Sequence, residues 1–147
     1  MFRKILIPVD NSRTDETIMK HIRPLARHDG ASLVLVHVAD GFGARLQAQL
    51  DLTDSEEVKK DIAYLEGLTA KLKAEGFDVH HHLLKGDPTN GILALAKDEG
   101  VDLIAMATHG HRFLLDWIFG SVADNLRHKT DIPILMVRDQ RKALPHG

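Results

Sequence analysis

The sequence predicts an α/β protein, a single doubly wound five-stranded parallel sheet with helices on both faces. Three observations carry that expectation. The runs Ile5-Leu6-Ile7, Leu33-Val34-Leu35-Val36 and Leu103-Ile104-Ala105-Met106 are apolar throughout rather than alternating, as parallel strands covered on both faces require. Stretches with apolar residues at helical spacing alternate with the strand runs, which calls for right-handed crossovers between parallel strands. The 147 residues, 44% hydrophobic and 27% charged, suit one globular domain with a sizeable core. The chain is therefore read as one domain over residues 1–147, the last nine being a polar tail.

The first strand starts at Lys4 and ends near Pro8, which has no N–H to give to a ladder. Asp10-Asn11-Ser12 makes a polar turn, and Ser12 or Thr14 can cap the following helix, with Asp15 and Glu16 in its first turn. Ile18, Ile22, Leu25 and Ala26 share one face of that helix, and Pro24 predicts a kink or an early stop. Gly30 closes the helix, and residues 32–38 form the second strand. Residues 40–52 lose all periodicity, and a loop of that length in a compact domain is usually functional or mobile.

Thr53 and Glu56 fit a capping box. Val58, Ile62, Leu65, Leu68 and Leu72 then mark an amphipathic helix ending at Gly76. Residues 77–84 form the third strand, the most polar of the set, and so are expected at an edge. Asp87 as N-cap and Pro88 at the first helical position open the next helix, which Gly100 ends. Residues 131–138 form the fifth strand.

Net charge is -2, so nothing points to a nucleic-acid partner. No cysteine is present, which excludes disulfides and thiolate chemistry. No apolar run approaches spanning length, and Met1-Phe2-Arg3-Lys4 runs straight into a strand without a signal segment. A cytoplasmic protein, with no membrane insertion, is expected.

In doubly wound sheets, ligands bind outside the carboxyl ends of the strands where the strand order reverses. Asp10, the residues after Val38, and residues 107–110 all fall at such ends. The richest stretch is residues 107–121: a buried strand, the glycine turn at Gly110, an irregular loop, then Gly120-Ser121 at an expected helix start. Backbone N–H groups at such a start favour an anion, and a phosphate cradle is the working expectation. The alternative is that Gly110 is a plain turn and Gly120-Ser121 a helix boundary. Asp10 can accept from a base amino group or a ribose hydroxyl, or serve as a helix cap. His109 can contact a phosphate or orient its loop, and no residue spacing marks a catalytic triad.

His80 and His82 share a strand face, but two ligands do not complete a metal site, and none is assigned. The apolar residues Phe113, Leu114, Leu115, Trp117, Ile118 and Phe119 are read as packing or subunit contact. There is no Gly-x-Gly-x-x-Gly after the first strand and no Gly-Lys-Ser or Gly-Lys-Thr, which weighs against a dinucleotide Rossmann domain and a P-loop NTPase.

Over nearly its whole length the chain resembles the universal stress protein family. The resemblance is carried by Ile5-Leu6-Ile7-Pro8-Val9-Asp10, Val36-His37-Val38, Gly86-Asp87-Pro88, Glu99-Gly100-Val101-Asp102-Leu103-Ile104, and the closing block from Gly120-Ser121-Val122-Ala123 to Ile132-Pro133-Ile134-Leu135-Met136-Val137. It implies a Rossmann-like, adenine nucleotide hydrolase-like fold that binds ATP or AMP, with or without Mg2+, in a stress-related sensor or regulator. The family's Gly-x-x-Gly-x9-Gly-Ser/Thr signature falls on Gly110, Gly120 and Ser121, with Ala107 in place of the first glycine. By the same likeness Asp10 meets the adenine or ribose, and the Val38 backbone pairs with the adenine edge. A homodimer through the last strand (Pro133, Ile134, Leu135, Met136, Val137) is also implied, and an apolar outer strand with unpaired backbone needs such covering. Two alternatives stay open: a dimeric interaction module of the same fold that binds no nucleotide, motivated by Ala107 and the apolar run at 113–119, and a slow ATPase.

Overall fold

The structure is a computed structural model that describes residues 1–39, 56–108 and 114–138. Among the described residues nine elements follow one another: β1 (Lys4–Pro8), α1 (Thr14–Asp29), β2 (Ser32–Val38), α2 (Glu56–Ala74), β3 (Val79–Leu84), α3 (Pro88–Glu99), β4 (Leu103–Thr108), α4 (Leu114–Lys129) and β5 (Ile134–Arg138). The expected loop at 40–52, the start of the capping box at Thr53, His109, Gly110 and the tail at 139–147 lie outside the described residues.

All strand pairs are parallel, and the order across the sheet is β3-β2-β1-β4-β5. The expected fold class holds. The chain builds outward from β1 through β2 to β3, then crosses back to lay β4 on the other side of β1. The order therefore reverses between β1 and β4, whose carboxyl ends are the place for a ligand crevice.

Strand side chains alternate between faces, and both faces are covered. Ile5, Ile7, Leu33, Leu35, Leu103 and Ala105 pack with Ile18, Met19 and Ile22 of α1 and Leu65, Leu68 and Leu72 of α2. Leu6, Val34, Val36, Ile104 and Met106 pack with Ile92 and Ala96 of α3 and Val122, Ala123 and Leu126 of α4. Each fully buried Leu or Ile contributes about 1.5–3 kcal/mol over its exposed state. This two-sided burial is why the central strands are continuously apolar. β3 lies at an edge, as its polarity predicts.

The turn chemistry is largely as expected. Gly30 and Gly100 both take φ +67 at helix C-caps, a conformation that strains side-chain-bearing residues. Asp87 caps α3 by accepting from Asn90 N–H at 2.8 Å, with Pro88 next. Pro24 does not stop α1, which runs on to Asp29. One missing intrahelical bond is outweighed there by the burial of Ile18, Met19, Ile22 and Ala26.

Of the two expected caps, the Ser12 hydroxyl accepts the N–H of Thr14, the first residue of α1, at 3.3 Å. The N-cap position itself is Arg13, whose side chain makes no capping bond, while the Ser12 hydroxyl also bonds Asp10 and the Thr14 hydroxyl. The strands also begin later than their apolar runs. Val101 N–H donates to Ala96 O and Phe77 N–H to Leu72 O, so both residues close the preceding helix instead.

Candidate functional site

β1 ends where Pro8 pairs with Val36, and Val9 N–H adds one more bond to Val36 O at 2.8 Å. The chain then turns sharply through Asn11, which has φ +61. Asn tolerates this left-handed conformation better than most residues. Asp15, in the first turn of α1, holds the turn from below: its carboxylate accepts Asp10 N–H at 3.2 Å, Asn11 N–H at 2.9 Å and the Tyr64 hydroxyl at 2.7 Å. The Asp10 carboxylate in turn accepts the Ser12 N–H at 3.1 Å and hydroxyl at 2.6 Å.

Two further elements lock this turn. His37 of β2 lies between two partners, its Nδ1 2.8 Å from Val9 O and its Nε2 3.1 Å from the Asp61 carboxylate of α2. Asn11 Nδ2 donates to the other Asp61 oxygen at 3.1 Å. The carboxyl end of β1 is thus fastened to α1, β2 and α2 by side chains.

Electrostatics follow from this crowding. Burial, and then the negative charge of Asp10, push the Asp15 carboxyl up to about 7, against the hydrogen bonds from Tyr64 and the two backbone amides. Burial and the Asp15 charge push the Tyr64 phenol up as well. The turn concentrates carboxylates beside backbone and hydroxyl donors, which suits the amino and hydroxyl groups of a polar ligand.

Val38 is the last residue of β2. Even-numbered residues of β2 pair toward β1, as Ser32 N–H to Arg3 O and Val9 N–H to Val36 O show, whereas Leu33 and Ala39 donate toward β3. Val38 therefore turns its peptide groups toward the chain leaving β1, beyond the last β1–β2 pair. Ala107 lies near the end of β4, paired with Val137, with its side chain against the α1 and α2 face. Among the described residues Asn11 is the one non-glycine with positive φ, so Ala107 keeps an ordinary backbone that a methyl group does not strain. Asp10, Val38 and Ala107 thus stand at the carboxyl ends of three neighbouring strands.

Gly120 and Ser121 are not at a helix start. α4 begins at Leu114, so both lie inside it, roughly 9 Å along the axis from its first residue. Residues 114–119 contain no Gly or Pro and include good helix formers, with Asp116 in the first turn where the dipole favours it. The same finding corrects the expected irregular loop, which is helical from Leu114 onward. His109 and Gly110 lie outside the described residues.

Sequence spacing carries no signal for His37, Asp61 or Tyr64, which meet the β1 turn only through tertiary packing. It also misses a partner for the β3 histidines. Glu99, the last residue of α3, accepts from His80 Nε2 at 2.9 Å, from His82 Nε2 at 2.8 Å and from Lys4 Nζ at 3.3 Å. His80 first, with His82 and Lys4, holds the Glu99 carboxyl down at about 2 against its partial burial.

The family model described as the universal stress protein family matches residues 1–138. Universal stress protein MJ0577 of Methanocaldococcus jannaschii is 30% identical, over 94% of this chain and 96% of its own. The solved structure of MJ0577 superposes with TM-score 0.73, covering 95% of this chain and 97% of the other. A universal stress protein from Archaeoglobus fulgidus, solved in complex with dAMP, superposes with TM-score 0.67 at 22% identity over 92% and 97% of the two chains. A further solved universal stress protein, in complex with cAMP, superposes with TM-score 0.65 at 19% identity over 93% of this chain and 97% of its own.

Proposed function

This chain belongs to the universal stress protein family, and on that premise we propose that it binds an adenine nucleotide, ATP or AMP, in the crevice at the carboxyl ends of β1, β2 and β4, and acts as a cytoplasmic sensor or regulator in stress responses. The observation that carries the reading is the reversal of strand order between β1 and β4, with Asp10, Val38 and Ala107 gathered at that switch point. The dAMP and cAMP complexes of fold neighbours support the choice of ligand class.

In this reading the Asp10 carboxylate takes the ribose or the adenine amino group, and the Val38 peptide pairs with the adenine edge. Ala107, His109, Gly110, Gly120 and Ser121 surround the phosphates, with or without Mg2+. Asp10, Val38 and Ala107 fit such a ligand as they stand. Gly120 and Ser121 fit less directly, because the N–H groups of helix-interior residues bond to carbonyls four residues earlier. Contact through those amides requires the first turns of α4 to unwind on binding. The reading includes a homodimer through β5, the outer strand, where Met136 is 44% exposed.

Calorimetric titration with ATP and AMP, each with and without Mg2+, tests the proposal. Saturable heat is expected for at least one nucleotide, together with a rise in melting temperature. Absence of both at millimolar nucleotide overturns it in favour of a module that binds no nucleotide. Phosphate release above the uncatalysed background in the same samples would add an ATPase activity to the binding function.

A further inference from the structure

The nucleotide reading leaves one side-chain cluster unused, between the edge strand β3 and the end of α3. His80 and His82 stand two residues apart on β3, in register with Val34 and Val36, on the sheet face that α3 covers. Glu99 ends α3 directly over them. One of its oxygens, Oε2, meets both Nε2 atoms, and all three candidate ligand atoms lie within 4.8 Å of one another. Lys4 holds the other oxygen, Oε1, and so leaves Oε2 to the histidines. The Glu99 side chain is 16% exposed, while those of His80 and His82 are 45% and 35% exposed, so the rings open to solvent above a fixed carboxylate.

We propose that His80, His82 and Glu99 form a binding site for a divalent transition metal ion of the zinc type, held by the two Nε2 atoms and one carboxylate oxygen and completed by solvent. Two imidazoles and a carboxylate are a donor set that zinc accepts, and three protein ligands leave the fourth position for water. Tetrahedral coordination at zinc bond lengths sets neighbouring ligand atoms roughly 3.3 Å apart, so each carboxylate–imidazole contact opens by about 0.5 Å from its hydrogen-bonded length and the two Nε2 atoms, within 4.8 Å of each other, close by up to ~1.5 Å. Rotation of half-exposed rings supplies that movement.

Each Nε2 proton shifts to Nδ1 or leaves to solvent, exposing the lone pair that binds the metal. Lys4 keeps its bond to Oε1 and orients the carboxylate, as outer partners of metal ligands do. No stretch of sequence marks the site, because its third ligand is 17 residues from His82 and arrives by helix packing. The bound ion ties the end of α3 to the edge strand of the sheet.

The test is titration of nucleotide-free protein with Zn2+, and with Co2+ as a spectroscopic probe, in the full chain and in the His82→Gln, His80→Gln/His82→Gln and Glu99→Gln variants. One equivalent of Zn2+ is expected, with a raised melting temperature and the intense visible absorption of low-coordinate Co2+. A single lost ligand should weaken binding beyond the ~10–100-fold that losing an outer partner costs, and the double variant should bind none at this site. Circular dichroism checks folding. The histidine variants decide the question should Glu99→Gln unfold, since both rings lie on an edge strand. Absence of saturable Zn2+ binding overturns the proposal. So does unchanged affinity and stoichiometry in the double variant, which would put the ion on other histidines, and so does equal competition by Mg2+.

Discussion

Asp15 is a carboxyl group that three donors hold in place and that burial nevertheless keeps close to neutral. It is 4% exposed and shares its surroundings with the Asp10 carboxylate, and its pKa rises from 3.8 to about 7. A raised acid pKa means that the folded chain keeps a proton the unfolded chain has lost. The resulting stability is fully present below 3.8 and lost as pH rises through about 7. Within that window one such group contributes a slope of up to about 1.4 kcal/mol per pH unit. Urea unfolding of the wild type should therefore show stability rising on acidification from pH 7 toward pH 4, relative to Asp15→Asn. The comparison with the variant removes the histidines and other carboxylates from the difference. Parallel pH profiles for the two proteins would mean that Asp15 is an ordinary surface acid. The sequence shows this residue only as a favourable charge in the first turn of α1, because its hydroxyl partner Tyr64 lies on α2, 49 positions away.

At the scale of elements, the helices separate what local sequence determines from what packing decides. Gly30, Gly100, Asp87 and Pro88 work as their positions predict, because caps and turns depend on a few adjacent residues. Asp87→Ala should cost about 1 kcal/mol in chemical denaturation, the usual loss when an N-cap acceptor is removed, and a loss below 0.3 kcal/mol would make the bond to Asn90 negligible. The start of α4 is a different matter. The apolar residues at 113–119 read from the sequence as packing or subunit contact in a loop, because a short apolar run carries no decisive helical period. With Gly120 inside α4, Gly120→Ala should raise stability by about 0.5–1 kcal/mol, as removal of a helix-interior glycine does. If phosphates pass close to that position, the same substitution should weaken nucleotide binding at least tenfold. The single tryptophan, Trp117, lies in the α4 segment that must unwind for the Gly120 and Ser121 amides to reach a phosphate. Its emission should change on titration with ATP or AMP. Calorimetric binding with unchanged Trp117 emission would exclude that unwinding.

Across the whole molecule, the alternation of strand and helix and the continuous apolar strands were sufficient to read the sheet, its parallel sense and β3 as an edge. The candidate site was legible only where it lies on strand ends: Asp10, Val38 and Ala107 follow from topology, whereas His37, Asp61 and Glu99 reach their partners through packing that spacing does not encode. The other edge of the sheet bears on assembly. Among the described residues β5 pairs with β4 alone, and its outer edge lies beside the exposed Met136. An edge strand of this kind invites pairing with a second copy, and a lysine placed on it is a recognised obstacle to such pairing. Met136→Lys should therefore shift the proposed dimer toward monomer in sedimentation velocity, weakening self-association at least tenfold, or about 1.4 kcal/mol. A wild-type chain that stays monomeric at high concentration, or a variant that associates equally well, would rule out β5 as the interface. The proposed crevice draws all its residues from one chain. Nucleotide affinity should accordingly survive in the monomeric Met136→Lys protein. Loss of binding with the fold intact would show instead that the second copy completes the site, whose Ala107 is one strand away from the proposed interface, in register with Val137 of β5.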